Sequence, residues 1–524
     1  MTLYSKHSIS IWLAVSLSFF SVLHANEKPN IILIYTDDQG YGDVSALNPK
    51  AKFKTPHLDR LANEGIAFTN GHSPDTICTP SRYGLLTGRY SWRTTFKTGV
   101  FGAERKCLIP DGRMTIPSML KKQGYHTAMV GKWHLGMDFP GNSHKDRDWS
   151  QPVKDMPLDK GFDYFYGIPA SLNYGVLAWF EGRYPKVPPV AFSNKKKNPR
   201  YLDYRIMPPY EKTAAKSKDP TRTIKRNFEI AEDFIDNQCL TRFTDKAIEW
   251  MSAKTADAKN GKPFFLYLPY TSPHYPVCPL PQFHGQGEAG PYGEFVIETD
   301  YHVGRVLQFL KESGLDENTL VIYSSDNGPE KSWSSRLEET GHDSRGGYRE
   351  GKRSVYEGGH RVPFLIRWPK GIPQAGRTWD GLVGQTDILA TLAEITGHQL
   401  PDNAGEDSQS FASVLTNPES KHKRLPLINH GNPNADYAIT KGDWKLVMPG
   451  RRGGPPELYH LSKDPTEKNN IADEKPKKVN MLTKALNTII TQGRTTPGAA
   501  QPNDTGYWKQ LSWLTKEEYN KLTP

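Results

Sequence analysis

Cysteine is scarce in this chain, four in 524 residues, and no two stand in a C-x-x-C pair. That spacing excludes a zinc knuckle, and so few thiols cannot build a disulfide scaffold. If Cys78 is consumed chemically, Cys107, Cys239 and Cys278 can form one disulfide at most. Long apolar runs are equally scarce: beyond the first 25 residues no stretch could span a bilayer. No internal repeat is present. Apolar, aromatic and charged fractions of 36, 11 and 24% are those of an ordinary soluble globular chain, which excludes coiled-coil, collagen and disordered classes. No nucleic-acid motif accompanies the formal charge of +10, so the charge points to an anionic substrate or surface.

The N-terminus has a character of its own. Lys6 and His7 are followed by an uncharged run, Ser8 to Leu23, and by the small residue Ala25. Residues 1–25 read as an export signal, predicting a periplasmic or secreted protein; a membrane anchor is the alternative.

Beyond it, strands and helices alternate. Apolar runs at 31–35, 126–130, 264–268, 320–323 and 362–366 read as strands. Thr55-Pro56 to Gly65, Thr115 to Gly124 and Phe295 to Leu310, with Gly314 beyond it, read as helices, as does a segment capped by Thr386 and stopped by Gly397. This alternation predicts an α/β fold with a large, mainly parallel sheet flanked by helices. In such sheets ligands sit at the carboxyl ends of strands. Asp37/Asp38, Lys132/His134, His274 and Asp326/Asn327 all follow predicted strands, so separate segments deliver polar residues to one edge.

The catalytic α/β unit is assigned to 26–400, with a Pro-rich basic insertion at 181–226 containing Lys195 to Lys197. The insertion reads either as a solvated loop or as a wall of the substrate cleft. From 401 to 524 a smaller α+β subdomain is expected, with short antiparallel strands at 438–447 and 457–461 and a helix at 477–490. An irregular tail from Arg494 should end the chain.

The decisive segment is Cys78-Thr79-Pro80-Ser81-Arg82, followed by Tyr83 to Arg89. Pro80 suits a first helical turn and Gly88 a stop, so Cys78 lies at a helix N-terminus, where negative charge is favoured. Alone, this could be an activated thiol nucleophile. With Leu86-Thr87-Gly88-Arg89 behind it, the segment resembles the C-x-P-S-R signature of the type I, formylglycine-dependent sulfatases, in the alkaline phosphatase superfamily. Asp37-Asp38-Gln39-Gly40, Gly131 to Gly136, Ser272 to Pro276, Ser325 to Gly328, Gly351-Lys352 with Tyr356 to Gly359, and Glu457-Leu458-Tyr459 to Glu467 are similar to further motifs of that family, in order.

The resemblance implies that Cys78 is a precursor, oxidised to formylglycine (3-oxoalanine) by a formylglycine-generating or sulfatase-maturing enzyme. The aldehyde hydrate carries two hydroxyls: one attacks sulfur, and loss of a proton from the other expels sulfate. Asp37, Asp38, Asp326 and Asn327, with the matured Cys78, are the implied ligands of one Ca²⁺, a hard cation that suits oxygen donors. Arg82 is implied to hold the hydrate, Lys132 and Lys352 to bind sulfate, His134 to assist deprotonation, and His274 to protonate the leaving oxygen. Ser171 occupies a position that contacts sulfate in some relatives.

Two other motifs fail. Gly346 to Lys352 has P-loop spacing, but Arg353 stands where Ser or Thr is required; Gly285, Gly287 and Gly290 follow a Pro-rich loop rather than a strand and read as a cleft rim near His274. Trp149, Tyr164, Phe165, Tyr166, Tyr174 and Trp179 either stack on sugar rings or belong to the core. The stretch Tyr83 to Arg113, with Trp92 and Cys107, is less standard and is a candidate for shaping specificity. The implied substrate is a sulfated polysaccharide or oligosaccharide, an algal glycan such as ulvan or carrageenan, or a glycosaminoglycan. The alternatives are a phosphomonoester or phosphodiester hydrolase of the same superfamily and a non-catalytic binder of sulfated glycans.

Overall fold

The computed structural model describes residues 27–200, 204–214 and 228–524; the export signal read at 1–25 lies outside them. Five parallel strands form the centre of a ten-stranded sheet, in the spatial order Thr319–Ser325, Asn30–Asp37, Phe264–Pro273, His126–Lys132, Tyr164–Ile168. Ile31 sits opposite both Phe265 and Leu320, so the apolar runs align side by side. Asn30–Asp37 is buried along its whole length, as expected for a strand covered on both faces. Antiparallel strands extend the sheet at both edges, Phe364–Arg367 on one side and the hairpin Phe180–Glu181/Tyr184–Pro185 on the other.

Two groups of helices cover this sheet. Pro56–Asn63, Cys239–Lys259 and Gly290–Ser313 pack together, as do Cys78–Thr87, Ile116–Lys122 and Ile388–Thr396. Among the described residues no helix is long and apolar enough to cross a membrane, and all four cysteines are free thiols.

A second, four-stranded antiparallel sheet runs Leu427–His430, Tyr437–Lys441, Trp444–Met448, Glu457–His460. The helix Pro476–Thr491 packs on it, and Leu482, Leu486 and Ile490 share a core with Ile428, Leu446 and Leu458. Tyr90 and Trp92 enter this core from the long polypeptide following Cys78, which joins the two sheets.

Three expectations are corrected. The segment after Arg494 is irregular to residue 515 but is packed rather than a loose tail, and it ends in a helix: Trp508, Leu511, Leu514 and Tyr519 are buried in the second core, and Thr515 with Glu518 closes a capping box on the helix Lys516–Leu522. The helix at 388–396 is entered through a 3₁₀ turn whose last residue, Asp387, is the N-cap; Thr386 lies inside that turn. The region from 181 is anchored rather than merely looped out, because Ala191–Phe192 pairs with Glu229–Ile230 and Ser193 and Ile206 are buried; its residues 201–203 and 215–226 lie outside those described.

Candidate active site

Four of the five central parallel strands lead into polar residues at the same edge. Asn30–Asp37 runs into Asp37 and Asp38, Thr319–Ser325 into Asp326 and Asn327, His126–Lys132 into Lys132 and His134, and Phe264–Pro273 into His274. Asp38 and His134 sit at φ of 65° and 59°, left-handed conformations that are uncommon for residues with a Cβ. Such positions persist only where the surroundings hold them. Gly131 has a structural reason of its own: a Cβ there would lie 2.0 Å from the Pro269 carbonyl oxygen of the neighbouring strand.

Cys78 is the first residue of the helix Cys78–Thr87, and no side chain caps that first turn. Its thiol is 2% exposed and donates to Asp37 Oδ1 at 3.4 Å. Three buried carboxylates face three buried cations around it. Arg82 donates to Asp326 Oδ2 from Nε at 3.2 Å and from a terminal nitrogen at 2.9 Å. Lys132 Nζ donates to Asp37 Oδ2, and Lys352 Nζ to Asp38 at 2.7 Å. Asn327 Nδ2 donates to Asp38 Oδ1 at 2.8 Å.

Burial works against the Asp37 carboxylate, but Lys132, His274, Arg82 and Lys352 overcome it and hold Asp37 well below the usual range. Asp326 goes the other way: burial and the nearby Asp37 push it up to about 7 against the pull of Arg82. Burial, Asp326 and Asp37 push the Cys78 thiol well up, so it is a protonated thiol rather than a ready thiolate. Burial opposes the charge of Lys352, yet Asp38, Cys78 and Asp37 keep it protonated far beyond its ordinary range.

The two histidines are oriented by main-chain carbonyls. His134 Nε2 faces the Phe101 carbonyl at 2.9 Å, which can only accept, so the proton sits on Nε2 and Nδ1 is the basic atom. That Nδ1 is buried without a partner, and burial with Lys132 and Arg82 keeps the ring neutral. His274 Nδ1 donates to the Tyr275 carbonyl at 2.6 Å, leaving Nε2 at 3.7 Å from Asp38 Oδ2. Donation from Nε2 therefore needs the doubly protonated ring; burial outweighs Asp37 and Asp38 and holds His274 below its ordinary range.

A cavity of about 190 Å³ opens over this group, lined by Cys78, His134, His274, Lys352, Arg353 and Asn432 among others. The donor set fits a hard cation. Asp37, Asp38, Asp326 and Asn327 offer oxygens only, and Asn327 Oδ1 is buried with no partner while its Nδ2 is already engaged. Crowded carboxylates of this kind are relieved by a cation placed among them.

The Sulfatase family model matches residues 29–398, about seven-tenths of the sequence. The chain belongs to the sulfatase family. It is a sulfuric ester hydrolase, and its fold is that of solved sulfatases. The sulfatase also matches the C-terminal family of N-sulphoglucosamine sulphohydrolase over residues 347–495. It is similar to N-acetylgalactosamine-6-O-sulfatase of Bacteroides thetaiotaomicron, 32% identical over 500 residues, covering 89% of this chain and 94% of the relative. It is also similar to human arylsulfatase A, 31% identical over 482 residues, covering 84% and 83% of the two chains. A solved structure described under glycosaminoglycan metabolism by Bacteroides thetaiotaomicron superposes with a TM-score of 0.76 at 30% identity, covering 89% of this chain and all of that one.

Within the sulfatase, the structure brings together Asp37, Asp38, Cys78, Arg82, Lys132, His134, His274, Asp326, Asn327 and Lys352. Ser171 is buried, its hydroxyl has no hydrogen-bond partner, and it does not line the cavity; Asn173 and Tyr174 do. Phe165, Tyr166 and Trp179 are core residues, and Trp149 and Tyr164 pack against that core, which leaves Tyr174 as the one of the six that faces the site. In the Tyr83–Arg113 stretch, Trp92 turns into the second core and Arg113 binds Glu406, while Gly99 and Val100, just outside the strict motifs, line the cavity. The Gly285–Gly290 loop is not a rim of His274: Gly287 lines a separate depression with Lys50, Lys52 and Lys54.

Sequence reasoning did not assign a site role to Asn173, Tyr275, Arg353 and Asn432, which line the cavity. Tyr275 adjoins His274 and Arg353 adjoins Lys352, so adjacency to a motif could have flagged them. Asn432 reaches the cavity from the second sheet, where it accepts from Gly99 N at 2.8 Å and donates to Asp75 at 2.9 Å. Only the folded topology places it there.

Proposed function

We propose that this sulfatase removes sulfate from a sulfated carbohydrate outside the cytoplasm, with residue 78 matured to formylglycine and a calcium ion held by Asp37, Asp38, Asp326 and Asn327. The observation that carries this reading is Cys78 at the floor of a small cavity, between buried carboxylates and two oriented histidines. Formylglycine at residue 78 supplies the attacking hydroxyl and, through its second hydroxyl, the means of releasing sulfate. A bound calcium ion supplies fixed positive charge toward sulfate oxygens.

The protein's own residues account for the rest. Lys132 and Lys352 are fixed in place by Asp37 and Asp38, and each Nζ has further N–H donors with which to hold sulfate oxygens and offset charge developing there. Arg82 is fixed by Asp326 and by the Lys132 carbonyl at 3.1 Å, and it orients residue 78. His134 Nδ1 takes a proton from the hydroxyls at position 78, since its other nitrogen is spent on Phe101. His274 Nε2 gives a proton to the leaving sugar oxygen, because its Nδ1 is spent on Tyr275. Cys78 is too buried for an enzyme to reach in the folded chain, which supports maturation before folding is complete. Residues 1–25 serve as the export signal in this reading, and the chain divides near 400 into a catalytic unit and a C-terminal subdomain.

Similarity to an N-acetylgalactosamine-6-O-sulfatase supports a sulfated sugar as substrate. A panel of defined sulfated oligosaccharides tests it, scored by sulfate release against matched phosphate monoesters. Turnover of sulfated sugars at least about a hundredfold above the phosphates is expected, a preference of about 2.7 kcal/mol. Turnover confined to phosphate esters would overturn the reading.

A further inference from the structure

We infer that the substrate is an oligosaccharide whose sugars beyond the sulfated residue lie in a second groove next to the catalytic cavity; this rests on the sulfated-carbohydrate reading above. The catalytic cavity, about 190 Å³, falls below the range of about 300–1,000 Å³ usual for sites enclosing a ligand of several rings. The neighbouring groove, about 700 Å³, lies within it. The two are continuous: Asn173, Tyr174 and Tyr275 line both.

These three residues form a sill that is tied to the chemistry. The Tyr174 ring lies against His134 with centroids 5.3 Å apart, and Tyr275 stacks on His274 at 4.6 Å and 19°. A sugar crossing the sill therefore meets aromatic faces directly beside the two histidines. Asn173 Nδ2 donates to the Tyr275 hydroxyl at 2.9 Å, while its buried Oδ1 has no partner. An orphaned buried acceptor costs free energy unless something donates to it, and a sugar hydroxyl is such a donor.

Beyond the sill the groove keeps the same mixture of apolar faces and polar edges. Phe192 and Phe228 are buried and back the groove, while His144, edge-on to Phe192 at 5.4 Å, and Lys195, its Nζ 4.9 Å from the centre of Phe228, lie against them and line it. Aromatic faces at the Tyr174–Tyr275 sill, followed by an apolar backing with the polar groups of His144 and Lys195, suit the hydroxyls and anionic groups of a glycan chain. The Lys50–Lys54 depression is larger, but it shares no lining residue with the catalytic cavity.

The test is calorimetric and independent of turnover. Full-length Cys78→Ala protein is titrated with monosaccharide, disaccharide and tetrasaccharide members of two series, N-acetylgalactosamine 6-sulfate oligosaccharides and sulfated carrageenan oligosaccharides. Affinity should rise at least about tenfold from monosaccharide to tetrasaccharide in one series, equivalent to about 1.4 kcal/mol. In a folded His144→Ala/Lys195→Ala background that ratio should fall toward one. Equal affinity at every length in both series, or a ratio unmoved by the double substitution, would overturn the inference. If length-dependent binding holds while mature enzyme releases no sulfate from the same sugars, the groove assignment stands and the substrate assignment of the active site fails.

Discussion

Replacing Lys445 by methionine removes an ammonium buried between two carboxylates, Glu357 at 2.9 Å and Glu467 at 2.8 Å, with all three side chains 0% exposed. Burial works against the Glu357 charge, but Lys445, His72 and His360 overcome it and hold Glu357 well below its ordinary range. Without Lys445 two carboxylates share one dry site; Glu357 keeps Arg361 at 3.1 Å, while Glu467 loses its cation. Removing one partner of a buried pair costs about 3–5 kcal/mol, because an uncompensated charge stays behind. At about 2.1 cal/mol/K of unfolding entropy per residue, a chain of this length should lose about 3–5 °C in melting temperature.

The effect should reach the active site. Glu467 accepts the Glu357 amide at 2.7 Å, and Arg349 donates to the Glu467 carbonyl at 2.7 Å. Those contacts hold the 349–359 segment that carries Lys352. Melting curves and sulfate-release kinetics on mature protein should therefore show lower stability together with lower kcat/KM. The double variant Lys445→Met/Glu467→Gln, which leaves Glu357 facing Arg361 at 3.1 Å, should regain stability. A loss below about 1 kcal/mol in the single variant, or no recovery in the double, would refute the reasoning.

Other outcomes follow from the same geometry. Burial pushes Glu298 up to about 8, so folded protein retains a proton that unfolded protein releases. Stability should therefore fall as pH rises from the ordinary carboxylate value toward 8, with a slope approaching about 1.4 kcal/mol per pH unit. Glu298→Gln should match wild type near pH 4 and melt higher above pH 8, and parallel melting curves across that range would contradict this. Gly131→Ala places a Cβ 2.0 Å from the Pro269 oxygen and should cost several kcal/mol, about the upper range of single substitutions, read as loss of soluble folded protein. Calcium removal by a chelator should lower both sulfate release and melting temperature. Restoring calcium at about a hundred times its dissociation constant should return about 2.7 kcal/mol.

The central strands were legible because strands buried on both faces leave continuous apolar runs, and Asn30–Asp37 is the clearest case. Their polar ends were legible for the same reason, since Asp37, Asp326 and His274 each interrupt such a run. The packing of the last segment was hidden: Trp508, Leu511 and Leu514 bury themselves in irregular chain, with no periodic face to mark them. The aromatic residues from Trp149 to Trp179 were ambiguous because a ring stacks equally well on a sugar or in a core, and Trp179 lies parallel to Tyr166 inside the protein. Asn432 and the Tyr174–Tyr275 sill depend on contacts between segments far apart in sequence, which no local pattern records.

The central claim is that residue 78 acts as an aldehyde hydrate within the Asp37, Asp38 and Asp326 cluster. Mass spectrometry of the peptide containing residue 78, on the same preparation assayed for sulfate release, tests this most directly. Specific activity should rise in proportion to the fraction carrying formylglycine and vanish in Cys78→Ala. Full activity from protein whose residue 78 is entirely cysteine would contradict the account.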